Sequence, residues 1–411
     1  MKKILIYTHD TYGLGNARRM LAIASHLVKS SEEISILLVS GSTMLHTFRH
    51  GPRIDYIKLP CLSRDTEGKY KSRYLDYDFD RLLKMRSDLI ASAFFNFQPD
   101  LVLVDKKPLG VGGELSQTLK IMKSEFPKTR CVLLLRDILD APEKTAQIWH
   151  KQNYFRDIDT YYQKILVVGK PEVFDLCKKY QFPKKTCKKV EFCGYLAREP
   201  GVKSRFEVRS NLSIDVDQPL VLAMVGGGED GYHLLEVLMQ GVQRTKGTLP
   251  YNLLIVSGPE MPAFQRTKLN VMASQSPQVD IIDYSDDVMG LIDASDLVIS
   301  MAGYNTVCEF LTLKKPAIVI PRVEPSLEQW IRAREMDNLG LLRAIHPNQL
   351  TPWLLQHEIK QLLKDDASVL DSLQQFEMDG LSRVTNASLN LIPSLATIQR
   401  SMPEQLLAVG F

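Results

Sequence analysis

Apolar residues along this chain fall into short strand-length runs separated by longer stretches of mixed polarity. Runs near 3–8, 34–40, 54–59, 101–105, 131–135 and 165–168 make one series. Runs near 219–225, 252–257, 279–283, 297–300, 317–320 and 341–345 make a second. Between nearly all of them apolar residues recur every three or four positions, as in Ala17 to Lys29 and Tyr232 to Arg244, which is the period of an amphipathic helix. Strands without polar alternation, alternating with helices, predict parallel sheets covered on both faces. The alternation occurs twice, so the predicted fold is α/β, with two doubly wound Rossmann-like domains facing a cleft. Ligands then belong at the carboxyl ends of the strands. Pro200 and Gly201 interrupt the pattern between Arg198 and Phe206. The expected division is a first domain over 1–197, a second over 198–366, and a helical segment over 367–411 that contains no strand.

At 411 residues, with 45% hydrophobic and 24% charged residues, the composition is that of a globular protein of two domains. The apolar runs are far too short to span a membrane. The opening MKKILIYTHD lacks the apolar length of a secretory signal and is read as the first strand. Six cysteines, at 61, 131, 177, 187, 193 and 308, form no CxxC and no spacing with histidine. They are expected to be reduced thiols of a cytoplasmic protein, with no metal site and no disulfide frame. The net charge of +3 conceals a division: residues 1–200 hold 34 Lys+Arg against 23 Asp+Glu, and residues 201–411 hold 17 against 25. A basic first half suits an anionic acceptor or a peripheral contact with the inner face of a membrane; undirected drift of surface charge gives the same split. The lysines between Lys178 and Lys189 read as a solvated loop. The aromatic stretches Arg73 to Phe79 and Phe94 to Phe97 suit either an acceptor-facing surface or helix core. No basic platform interleaved with aromatics is present, which argues against nucleic acid as a partner.

Three glycine turns follow strands. Gly13-Leu14-Gly15 begins like a dinucleotide fingerprint, but Arg18 stands where the third glycine belongs and the second strand ends without an acidic residue, so NAD and FAD are not expected. Gly226-Gly227-Gly228 lets backbone approach an anion closely, or forms a plain tight turn. In the third, DLVISMAGYNTVCEF, a helix opens directly after a strand, which aims backbone N–H groups at a phosphate. Thr306-Val307-Cys308-Glu309 also has the form of a capping box, with Glu309 returning to the N–H of Thr306.

The whole chain resembles the glycosyltransferases of GT-B fold. It is most similar to family 28, the family of the peptidoglycan lipid-intermediate N-acetylglucosaminyltransferase, and to that family's uncharacterised relatives. Gly303-Tyr304-Asn305-Thr306-Val307-Cys308-Glu309 fits the family's G-x-x-T-x-x-E donor motif. The resemblance implies that Gly303, Asn305 and Thr306 hold the donor diphosphate and that Glu309 binds the ribose. Glu328 and Gln329, in a polar loop, correspond to the pair that binds the donor sugar. Arg198, in Gly194-Tyr195-Leu196-Ala197-Arg198, corresponds to a nucleotide-binding arginine, although only the glycine and arginine of that turn match. Gly226, Gly227 and Gly228 correspond to a loop facing the pyrophosphate. The implied donor is a UDP-linked hexose or N-acetylhexosamine and no separate cofactor is needed; the acceptor stays open, and the basic first half suits a phosphorylated lipid or glycan.

The chain departs from the family where catalysis is suspected. Relatives carry histidine after the first glycine turn, and this chain carries Asn16, which cannot accept a proton near neutral pH. His9, Asp10 and Asp105, each at a strand end, are the alternatives for a general base. Arg18 and Arg19 are the candidate acceptor-binding residues, since a guanidinium can hold two phosphate oxygens at once. No spaced carboxylate pair suits a divalent metal. Asp286-Asp287 reads as an acidic helix start. A metal-independent transfer is therefore expected, the resemblance implies that it inverts, and Ala317 breaks the paired-glutamate pattern of retaining relatives. Two other readings fit the same fold: a nucleotide-sugar 2-epimerase, and a donor-binding protein without catalysis.

Overall fold

The computed structural model describes residues 1–8, 15–43, 45, 51–64, 70–245, 248–364 and 367–392. Two parallel sheets form its frame. The first contains β1 (Lys2–Thr8), β2 (Ile34–Ser40), β3 (Ile54–Lys58), β4 (Leu101–Asp105), β5 (Arg130–Arg136), β6 (Lys164–Val168) and β7 (Val190–Phe192), in the order β3-β2-β1-β4-β5-β6-β7. The second contains β8 (Leu220–Met224), β9 (Asn252–Val256), β10 (Val279–Ile282), β11 (Leu297–Ser300), β12 (Ala317–Val319) and β13 (Arg343–Ala344), in the order β10-β9-β8-β11-β12-β13. In each sheet the order reverses beside the first strand, which opens a crevice between β1 and β4 and another between β8 and β11. Every residue of β4, β8 and β11 is buried, which explains their unbroken apolar sequence.

The twelve runs read from the sequence are strands, although the last is confined to Arg343–Ala344. Strand β7 was not foreseen, nor was a small antiparallel hairpin pairing Leu62–Arg64 with Tyr70–Ser72. The lysine-rich stretch is not a plain loop: two single-turn helices, Leu176–Lys179 and Lys184–Cys187, carry it, and Lys185 and Lys189 flank Asp159. Phe94 is core, packed edge-on against Phe126, whereas Phe95 is half exposed, as are Tyr74 and Leu75. Among the described residues no helix is long and apolar enough to cross a membrane.

Five helices position the site: α1 (Gly15–Ser30), α2 (Tyr232–Arg244), α3 (Tyr304–Thr312), α4 (Glu328–Asn338) and α5 (Gly380–Leu389). One apolar cluster runs from Ile4 and Leu103 of the first sheet, through Tyr195 and Leu196, to Leu222 and Val298 of the second. Helix α4 lies in the second half by sequence, yet its Ile331 joins the core on the other face of the first sheet. Helix α5 packs Val384 and Ala387 into the cluster that holds Ile23 and Leu27 of α1, and Thr385 lies 2.8 Å from His26 Nδ1. Helix α5 therefore returns to the first half.

Candidate functional site

In the second half, β8 runs into Val225 to Asp230 and then into α2. Gly226 and Gly228 hold φ of 66° and 95°, the left-handed region where glycine is unstrained. A Cβ on Gly228 would lie 2.4 Å from the Ser257 carbonyl oxygen, whereas one on Gly226 would meet nothing. The turn is fixed on its inner side and open at Gly226 and Gly227, both exposed.

The adjacent strand β11 passes through Met301 and Ala302 to Gly303, the extended N-cap residue of α3. Glycine has no side chain to cap the helix, so the first-turn N–H groups keep the partial positive charge of a helix start. Because α3 begins at Tyr304, Thr306 already lies inside it, and the capping box does not form. The extended conformation of Gly303 lets the helix start directly from the strand.

Asn305 joins the two halves. Its Oδ1 accepts from Arg198 Nη2 at 2.6 Å, and its Nδ2 donates to the Gly15 carbonyl at 2.9 Å. The starts of α1 and α3 therefore meet across the cleft. Arg198 donates its backbone N–H to Thr312 Oγ1, and its Nε is buried without a partner among the described residues. Glu309, one turn beyond Asn305, is 8% exposed. Arg18 Nη1 lies 4.0 Å from its carboxylate, and among the described residues no hydrogen bond reaches that carboxylate. Burial raises the Glu309 pKa, and the charges of Arg198 and Arg18 offset this only in part.

Glu328 and Gln329 are not in a loop. They open α4 and are buried. Glu328 is paired with Arg136 at the end of β5, and Gln329 Oε1 accepts from the Arg322 N–H at 3.2 Å. Burial alone would raise the Glu328 pKa; Arg136, then Arg332, Lys106 and Arg322, bring it below the ordinary value. Both side chains are thus held by protein groups at the boundary between the halves.

In the first half, Asn16 is in the first turn of α1 and accepts from Arg19 Nη2 at 3.1 Å. Arg19 corrects an expectation. It is 1% exposed and donates to Asp105 Oδ1 at 2.6 Å, so it faces the core and not an acceptor. The same ion pair occupies Asp105, which is fully buried and also accepts from Thr8. Arg18 keeps 36% of its side chain exposed. His9 and Asp10 lie outside the described residues, as does Gly13. Asp287 caps the helix Val288–Ala294, accepting from the N–H groups of Gly290, Val202 and Lys203.

Asp137 and Arg332 belong to no motif that the sequence announces. Asp137 follows β5, and Arg332 of α4 donates to both its carboxylate oxygens at 2.7 Å and to the Ala302 carbonyl at 2.8 Å. Tyr195 also donates to Asp137, at 2.9 Å. The ring of Tyr304 lies 5.8 Å from Arg19 and 5.7 Å from Arg332, so the start of α3 is held between two buried ion pairs.

Two parallel sheets with crevices facing across a cleft, and a helix start, glycine loop and arginine converging there, are the architecture of the GT-B fold. Residues 222–383 match the glycosyltransferase family 28 C-terminal domain. The UDP-N-acetylglucosamine–N-acetylmuramyl-(pentapeptide) pyrophosphoryl-undecaprenol N-acetylglucosamine transferase of Acetivibrio thermocellus is 27% identical over 61% of this chain and 67% of its own length. An uncharacterised glycosyltransferase of Methanosarcina acetivorans is 25% identical over 92% of this chain and 95% of its own. Among solved structures, the calicheamicin glycosyltransferase CalG4 superposes with a TM-score of 0.63 at 14% identity, covering 98% of this chain and 100% of that one. A putative UDP-N-acetylglucosamine 2-epimerase from Listeria monocytogenes does so with 0.65 at 15% identity, covering 98% of each. The chain is a glycosyltransferase of GT-B architecture whose residues 222–383 resemble family 28.

Proposed function

We propose that this enzyme moves a hexose or N-acetylhexosamine from a UDP-sugar to an acidic or lipid-linked acceptor held by the first half, with inversion and without a metal ion. Glu309 carries this reading. It is a buried carboxylate that accepts no hydrogen bond among the described residues and lies one turn into an uncapped helix, where two ribose hydroxyls could donate to it. The first turn of α3, the open edge of Gly226 and Gly227, and Arg198 would stabilise the charge that grows on the departing diphosphate. Uridine as the base rests on the name of the Acetivibrio relative. The acceptor hydroxyl must lose its proton as the bond forms; Asn16 cannot take it, and His9 and Asp10 remain the proposed bases. A cytoplasmic enzyme, working at the inner face of a membrane when its acceptor is a lipid, fits the basic first half.

The test is a thermal-shift screen against UDP-, GDP- and dTDP-sugars. A ligand at about 100 times its dissociation constant adds roughly 2.7 kcal/mol, a readable shift. UDP-sugars are expected to give it, and no response to any of the three would overturn the proposal. The epimerase-like neighbour makes one control necessary. UDP-N-acetylglucosamine incubated alone is expected to remain unepimerised, and its conversion without acceptor would assign the other reaction.

A further inference from the structure

The carboxyl ends of the first sheet gather charge from both halves. Three cations there are paired, two of them fully buried: Arg19 with Asp105, Arg136 with Glu328, and Arg332 with Asp137. Lys106 and Lys107, directly after β4, are left over. Among the described residues neither forms an ion pair, and Lys107 Nζ instead donates to the hydroxyl of Tyr70 at 3.1 Å. Lys106 is anchored by its backbone, whose N–H donates to the Leu134 carbonyl at 2.8 Å, and its φ of 64° is one that a side-chain-bearing residue rarely adopts. A lysine fixed in this way projects from the end of a central strand next to β1 and β5, at the crevice where α/β sheets bind ligands. Its neighbours by charge are Arg136, Glu328, Asp105 and Lys107.

We infer that Lys106, with Lys107 beside it, forms an anion subsite that takes the phosphate of the acceptor. An ammonium desolvated next to a second cation gains when an anion arrives. Consistent with this, burial first and Arg136 second bring the Lys106 pKa down to about 8. Among the described residues the three pairs leave this corner with two unpaired positive charges, which a doubly charged phosphate would neutralise. The subsite rests on the transferase reading for its acceptor, but not for the binding itself. It also replaces Arg19, which the structure turns inward, as the basis of an acidic acceptor.

The experiment is calorimetric titration of the full chain with inorganic phosphate, with UDP present to fill the donor site and again without it. Parent protein is expected to bind phosphate saturably, and Lys106→Met to bind it about ten- to hundredfold more weakly, the loss expected for hydrogen bonds to a charged group. Lys184→Met, an exposed lysine elsewhere in the first half, is expected to match the parent. Lys106→Met is expected to melt at the same temperature as the parent or higher, because it removes a desolvated charge. Glucose 6-phosphate in one arm and vesicles of phosphatidylcholine with phosphatidic acid in another separate a glycan phosphate from a lipid one. Lys106 dependence in either upholds the subsite. Equal phosphate binding by parent and Lys106→Met, or none by the parent, overturns it. Failure of UDP alone to bind would count against the donor reading and leave the Lys106 comparison intact.

Discussion

At Glu309 burial raises the carboxyl pKa, and the charges of Arg198 and Arg18 do not fully restore it. A folded pKa above the unfolded one favours the protonated, folded form. Its stabilisation is complete below the unfolded value near 4.5 and is lost as pH rises through the raised folded value. At neutral pH the ionised group therefore costs stability, and Glu309→Gln is expected to unfold at the same temperature as the parent or higher. Below about pH 4.5 the difference should vanish. A mutant that melts lower at pH 7 would show a structural role for the carboxylate. The neighbouring arginines separate in the same way. Arg18→Ala is expected to change stability by less than about 0.5 kcal/mol, as exposed substitutions do. Arg19→Ala strands the buried Asp105 and is expected to cost about 3–5 kcal/mol. Chemical denaturation of the two variants side by side checks this, and similar midpoints would contradict the burial of Arg19.

Among the elements, the start of α5 is held in close backbone contact at one residue. A Cβ on Gly380 would lie 2.6 Å from the Tyr195 carbonyl oxygen and 2.7 Å from that of Gly194, both rigid backbone. Gly380→Ala is expected to lower stability by about 1–3 kcal/mol, read as a shift in urea midpoint, because the start of α5 would be pushed off the junction between the halves. An unchanged midpoint would mean that α5 is not held there. This contact could not be read from the sequence, since 367–411 presents only a helical pattern. Strands fully buried on both faces, such as β4 and β8, were legible because burial forces an unbroken apolar run. Strand β7 was missed because it is a sheet edge of half-buried residues and lacks that run. Thr306 and Glu309 carry the letters of a capping box, and only the extended Gly303 shows that the helix starts before them. Glycines 226–228 and Glu309 were legible as a motif. Asp137 and Arg332 were not, because the pair is 195 residues apart and no local pattern announces it.

For the whole molecule, the shared apolar cluster and the pairs Arg332–Asp137 and Arg136–Glu328 make the two halves one unit. Arg332→Met would leave Asp137 buried with Tyr195 as its one side-chain donor among the described residues, and is expected to cost about 3–5 kcal/mol. If denaturation showed the variant as stable as the parent, the pair would not be what ties α4 to the first sheet. The proposed donor site depends on the same assembly, because Asn305 ties the start of α3 to α1 and Arg332 holds the Ala302 carbonyl just before it. The most direct measurement is a calorimetric titration of UDP into the parent and into Glu309→Gln at pH 7. UDP is expected to bind the parent saturably and the variant about one to two decades more weakly, the loss of roughly 1.5–3 kcal/mol for hydrogen bonds to a charged group. Equal UDP affinity in parent and variant, with both folded, would contradict a donor site built on α3.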